Sequence, residues 1–125
     1  MIVSRILPDN DLKTALKNIM DGSDFKSGII LCIVGSLKET HLRMSDGNKK
    51  TFNGDYEIVS AEGTISPDGV HVHIAVSDEN GYMIGGHLLE GCIIYTTAEI
   101  CVLESEISFK RVFDHNTGYR ELFVE

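Results

Sequence analysis

Several things are scarce in this sequence, and each shortage excludes a class of protein. No apolar run is longer than Ile29–Val34, far short of the roughly 20 residues that a membrane-spanning helix needs. Met1–Asp9 lacks the charged, then apolar, then small-residue order of a signal peptide, and Pro8 interrupts it. Only three cysteines occur, Cys32, Cys92 and Cys101, and none shares a CxxC spacing. That count predicts buried free thiols in a reducing cytoplasm rather than a disulfide framework. There is no GxxxxGK[ST] phosphate loop, no GxGxxG and no GxSxG. Positive charge is missing from a long stretch: no Lys or Arg lies between Thr51 and Phe109.

What is present is one domain's worth of chain. The 125 residues are 42% apolar and 24% charged, without linker, repeat or low-complexity tract, so residues 1–125 read as a single globular domain. Eleven Lys and Arg against 19 Asp and Glu give a net charge of −8. A free-standing nucleic-acid binder is usually basic, because phosphate neutralisation supplies much of its affinity. The charge therefore argues against direct DNA binding. Ten of the acidic residues fall in the Thr51–Phe109 stretch. That block reads either as a solvated acidic surface or as surroundings suited to a cation.

Two prolines against 12 glycines predict frequent turns between short strands. One helix is expected, because Leu12, Ala15, Leu16, Ile19 and Met20 share one helical face. Asp9 is its expected cap, with Asp11 adding negative charge at the positive end and Gly22 stopping it. Strands are expected over Met1–Leu7, Gly28–Gly35, Leu37–Met44, Tyr56–Thr64, Val70–Ser77, Tyr82–Ile84 and Cys92–Leu103. A closing hairpin joins Ile107–Phe113 to Tyr119–Val124. The fold class is α+β, one helix on a mostly antiparallel sheet of eight or nine strands. A sheet that size with one helix leaves edges and apolar surface to cover, which predicts self-association.

The chemistry concentrates in three histidines. Val70–Val76 reads VHVHIAV. In a strand, Val70, Val72, Ile74 and Val76 form one apolar face while His71 and His73 project together from the other. His87 follows Gly85-Gly86, and two residues without side chains permit an unusual turn and a close backbone approach. That turn would swing His87 toward the pair. Three neutral imidazoles with one open position are the ligand set of a catalytic zinc site. The alternative is an ordinary surface or packed pair. His41 reads as a strand residue in a surface or packing role, and His115 as an exposed turn residue. Lys49-Lys50 and Lys110-Arg111 read as solvated pairs.

These residues also carry a resemblance. Gly54-Asp55-Tyr56-Glu57-Ile58-Val59 with Gly63-Thr64-Ile65-Ser66 resembles the GxFEI…GTIS stretch of the plants-and-prokaryotes-conserved (PPC) domain. His71-Val72-His73-Ile74, Asp78…Gly81 and Gly85-Gly86-His87-Leu88 are similar to its HxH…D..G…GGHL core. Gly35-Ser36-Leu37 and Leu42-Arg43 resemble its GSL….LR strand. The resemblance implies one helix on a strongly curved antiparallel sheet, assembled as a homotrimer. It implies a divalent metal, often zinc, on His71, His73 and His87. It assigns Gly54–Val59 to assembly or to a protein partner. Members are commonly labelled DNA-binding, but in the plant proteins an AT-hook outside the domain contacts DNA, and no Arg-Gly-Arg-Pro core occurs in this chain. The fold is also similar to that of acetolactate decarboxylase, a zinc enzyme with three histidine ligands. A catalytic reading by that analogy has zinc polarise an oxygen of a small carbonyl or carboxylate substrate, Arg43 hold the carboxylate, and Glu90 or Glu57 move a proton.

Overall fold

The computed structural model describes residues 1–125. Its elements are β1 (Ile2–Ile6), α1 (Leu12–Asp21), β2 (Gly28–Arg43), β3 (Lys49–Ser66), β4 (Gly69–Ser77), β5 (Met83–Leu88), β6 (Ile93–Glu104), β7 (Phe109–Phe113) and β8 (Arg120–Val124). The first six strands form one sheet in the order β1-β6-β2-β3-β4-β5, while β7 and β8 pair separately. Every pairing is antiparallel.

The main sheet curls back on itself. One edge of β2 pairs with β3 along its length. Its other edge pairs with β6 as far as Glu39, and then Leu42 and Arg43 pair with Leu88 and His87 of β5. Strands β2, β3, β4 and β5 thus close a circuit, which accounts for the strong curvature. No helix is long and apolar enough to cross a membrane.

Helix α1 lies against β3, β4 and β6. It buries Leu12, Ala15, Leu16 and Met20 of the stripe read from the sequence and leaves Ile19 half-buried. Leu12, Leu16 and Met20 join Ile33, Leu37, Ile65, Val72, Ile74, Val76, Ile94 and Ile100 in one core. The cap is Asp11, not Asp9. Asp11 Oδ1 accepts the Thr14 N–H at 2.9 Å, and its Oδ2 accepts the Gly91 N–H at 2.6 Å. One carboxylate thereby ties the helix start to the β5–β6 turn. Asp9 instead takes a left-handed conformation (φ 69°) and pairs with Lys38.

Three further expectations change. Gly28–Gly35 and Leu37–Met44 are a single strand, β2, because irregularities near Gly35–Glu39 bend it without ending it. The strand expected over Tyr56–Thr64 begins earlier, at Lys49, because Lys49–Asn53 pair with Glu39–Arg43 across a turn at Met44–Asn48. Of the three thiols, only Cys92 is buried, and burial pushes its pKa up to about 11. Cys32 is exposed and Cys101 half-buried, because both project from the face of β2 and β6 opposite the core, where they are register partners.

Candidate metal centre

Strand alternation in β4 places His71 and His73 on one face, while Val72, Ile74 and Val76 are buried on the other. His87 joins them by register, since it lies directly opposite His73 across the β4–β5 ladder. The expected turn at Gly85-Gly86 is absent, for both glycines are inside β5. Their role is the close approach. A Cβ on Gly86 would stand 2.8 Å from the Arg43 carbonyl oxygen, and one on Gly85 2.9 Å from that of Ile74. Glycine at both positions lets β5 sit tightly between β2 and β4.

The three imidazole rings form a tight triangle. Centroids of His71 and His73 are 5.1 Å apart, those of His71 and His87 5.1 Å, and those of His73 and His87 5.7 Å. Each ring offers a nitrogen within 4.8 Å of the others, so one ion can reach all three. No cysteine or carboxylate joins this ligand group, which leaves a fourth position open. His87 Nδ1 is buried without a hydrogen-bond partner. A buried polar atom left unpaired costs stability, and a bound cation would satisfy it. The donor set and this orphaned nitrogen fit a divalent metal.

The surroundings favour the neutral form of His71 and His87. Burial, then the charges of Arg43, His71, His73 and Lys13, lower the His87 pKa to about 4. Burial, Arg111, His73 and Arg43 lower that of His71, against the opposing effect of Glu121. Neutral nitrogens are the form a metal binds. A pH dependence follows. An imidazole that titrates at about 6.5 in the unfolded chain and near 4 when folded binds more protons unfolded. Metal-free protein should therefore keep its stability above pH 6.5 and lose it as pH falls toward 4. Thermal melts across that range, with His87→Gln expected to flatten the slope, check the sign.

A cavity of about 580 Å³ opens over the triad. Helix α1 contributes Lys13, Thr14 and Lys17, and β2 contributes Arg43. Asp68 and Glu90 enter from turns, and the terminal hairpin supplies Arg111, Tyr119, Arg120 and Glu121. Arg43 pairs in register with His87 and lies 4.7 Å over the Tyr119 ring. Glu90 lines the cavity, and its carbonyl meets His41 Nδ1 at 2.7 Å. Glu57 does not reach the cavity; it stands on β3 opposite Ser36 and Ser77. None of Gly54, Asp55, Tyr56, Glu57, Ile58 and Val59 lines it. In that stretch Ile58 is buried, Tyr56 packs against the core and Val59 is exposed. His115 is exposed, its ring edge-on to Phe113.

The charge around the triad is opposite to what the linear sequence suggests. Of the ten acidic residues between Thr51 and Phe109, only Asp68 and Glu90 line the cavity. Five cations do, all from outside that stretch: Lys13, Lys17, Arg43, Arg111 and Arg120. The acidic block is therefore not the setting of the histidines. Lys13, Arg111, Tyr119, Arg120 and Glu121 carry no motif that marks them, and Arg111 belongs to a pair read as solvated. Only the packing of helix and hairpin beside β4 brings them together.

A family model described as the Plants and Prokaryotes Conserved (PCC) domain matches residues 1–106. The chain belongs to the PCC domain family. A bifunctional protein GlmU from Synechococcus sp. (strain JA-3-3Ab) is 43% identical over 123 residues, which is 97% of this chain and 20% of that protein. This PCC chain thus spans about a fifth of the length of the curated relatives it matches. A solved hypothetical protein from Salmonella cholerae-suis superposes with a TM-score of 0.93 at 31% identity, covering 99% of this chain and 91% of that one. A structure from Bacteroides thetaiotaomicron with a provisional DNA-binding name gives 0.87 at 24% identity, over 97% and 90%. The metal-containing protein AF0104 from Archaeoglobus fulgidus gives 0.77 at 18% identity, over 98% and 91%. The last two identities make the likeness one of fold alone.

Proposed function

We propose that this PCC chain is a metal-centred binding and assembly module, with one divalent ion, zinc, on His71, His73 and His87. The observation that carries the reading is the triangle of imidazoles with an unpartnered buried Nδ1 on His87. Three imidazoles and an open position suit zinc, which takes nitrogen ligands at about 2.0–2.1 Å in four-coordinate sites. The name of the Archaeoglobus protein, metal-containing on the same fold, lends support. A role as a module is supported by the similar stretch forming a fifth of a bifunctional protein. Metal analysis of chain purified without chelator is the test. About one zinc per chain is expected, and a metal-free protein that takes up none on titration refutes the site.

Self-association belongs to this reading. The outer face of β1, β6 and β2 exposes Val3, Leu103, Ile29, Leu31 and Val34. These side chains are neighbours, since Val3 pairs with Cys101, Cys32 with Cys101 and Ile29 with Leu103. An apolar patch of this kind on a soluble domain is a surface for another copy of the chain. The expected assembly is a homotrimer. Light scattering should give three times the 13.8 kDa of one chain. Leu31→Asp, placing a charge within the patch, should shift the mass toward a single chain, whereas a 13.8 kDa parent would exclude the trimer.

A second reading is favoured by the open position. A cavity beside the ion, with Arg43 to hold a carboxylate and Glu90 to move a proton, suits a zinc-dependent enzyme acting on a small carbonyl or carboxylate substrate. When bound there, zinc would polarise the substrate oxygen. Direct DNA binding is the reading least supported. The net charge is −8, and five of the eleven cations line a concave cavity. Retention on DNA that falls steeply with salt would revive it.

A further inference from the structure

The cavity over the triad is lined by more positive than negative groups. Five cations line it against Asp68, Glu90 and Glu121, a balance of +2 in a chain of −8. Lys17 is already engaged, 2.8 Å from Asp21. Lys13, Arg43, Arg111 and Arg120 take part in none of the chain's ion pairs. The cavity carboxylates do not fill that role: Asp68 Oδ2 accepts the Arg111 backbone N–H at 3.3 Å, and Glu121 Oε1 accepts the Thr117 hydroxyl at 2.9 Å.

The arginines are also held in place. Arg43 lies over the Tyr119 ring, 4.7 Å from its centroid. Arg111 donates from Nη2 to the Arg120 carbonyl at 2.6 Å, and Arg120 donates from Nη2 to the Arg111 carbonyl at 2.8 Å. Each guanidinium has five N–H donors in a fixed fork, so a single such bond orients the group and leaves most of the fork free. Oriented arginine forks match carboxylate or phosphate oxygens, often in pairs of bonds. Gathering such cations in a concave site raises the local potential and draws anions in. A divalent ion on the triad adds to that potential. Arg111 and Arg120 come from the hairpin after residue 106, where the match to the family model ends.

We infer that the ligand of this site is a small organic molecule with two anionic groups, one directed to the ion on His71, His73 and His87 and the other to Arg43, Arg111 and Arg120. A ligand with one anionic group would occupy the ion and leave the arginines unmatched. The cavity, about 580 Å³, is of the size that holds such metabolites. The ion-directed half rests on the metal reading above; the arginine half rests on the cavity charge alone.

Calorimetric titration separates the two. Zinc-loaded and zinc-free chains are titrated with succinate, with phosphonoacetate and, as the single-charge control, with acetate. Both dianions should bind the zinc-loaded parent at least about tenfold tighter than acetate, as one added charge-assisted contact implies. Whichever dianion binds tighter tells a carboxylate from a phosphonate preference in the arginine half. Arg111→Gln and Arg120→Gln should each remove about tenfold of dianion affinity, weaken acetate less, and leave zinc content unchanged. With zinc bound, equal affinity for acetate and both dianions overturns the dianion inference and leaves the metal reading standing. If the chain takes up no zinc, the metal reading fails, and the zinc-free arm decides: anion binding that is lost in the arginine variants supports the arginine half, and the absence of anion binding overturns it.

Discussion

His71→Ala/His73→Ala is expected to take the bound zinc from about one ion per chain to none. The size of the effect follows from what each ligand contributes. Four-ligand zinc sites bind with about 10–16 kcal/mol, so losing two ligands weakens affinity on the order of 10⁴-fold. The fold should survive. Both side chains leave β4 on the face opposite Val72, Ile74 and Val76, and neither makes a hydrogen bond within the chain. The metal-free variant should therefore melt close to the metal-free parent. Added zinc should raise the parent's melting temperature, by mass action on the folded state, and leave the variant's unchanged. Equal metal in parent and variant would place the ion elsewhere in the molecule.

Legibility in the sequence was uneven for physical reasons. The histidine pair on β4 was readable because a strand repeats every two residues, so VHVHIAV separates into a core face and a ligand face without further information. His87 was readable as a residue but not as a geometry. Its placement depends on the register of β5 against β4, and register is a property of two strands together. The helix stripe was plain, but two acidic residues precede it, and the choice of Asp11 is made by a distant partner, the Gly91 N–H. Charge misled most. The linear stretch without Lys or Arg contains all three histidines, yet adjacent strand residues point to opposite faces. The cavity instead takes cations from a helix near residue 13, the end of β2 near residue 43, and a hairpin near residues 111–120. No local pattern records such a convergence. The same holds for the thiols, where apolar neighbours suggested burial but the outer sheet face leaves Cys32 exposed and Cys101 half-buried.

A second large effect is expected from Gly63→Ala, at a residue that is not itself a ligand. Gly63 on β3 lies opposite Val72, in the ladder that carries both histidines of β4. A Cβ there would stand 2.0 Å from the His71 carbonyl oxygen and 2.8 Å from the Val72 Cα. These are backbone atoms, which cannot rotate aside, so the methyl group must drive β3 and β4 apart. Core overpacking typically costs about 1–3 kcal/mol when side chains can give. With backbone on the receiving side the cost should exceed that range, approaching the roughly 4–5 kcal/mol of the most damaging substitutions. Total stability of domains is only about 5–15 kcal/mol, so the variant should melt at least about 10 °C below the parent or accumulate as insoluble chain. Gly47→Ala separates sterics from conformation. It has nothing within 4 Å but sits at φ +87°, so it should cost only about 1 kcal/mol. Any folded Gly63→Ala fraction should also bind zinc more weakly, because the displaced backbone is that of His71 itself. A Gly63→Ala protein with the parent's melting temperature would contradict the close β3–β4 contact from which both effects derive.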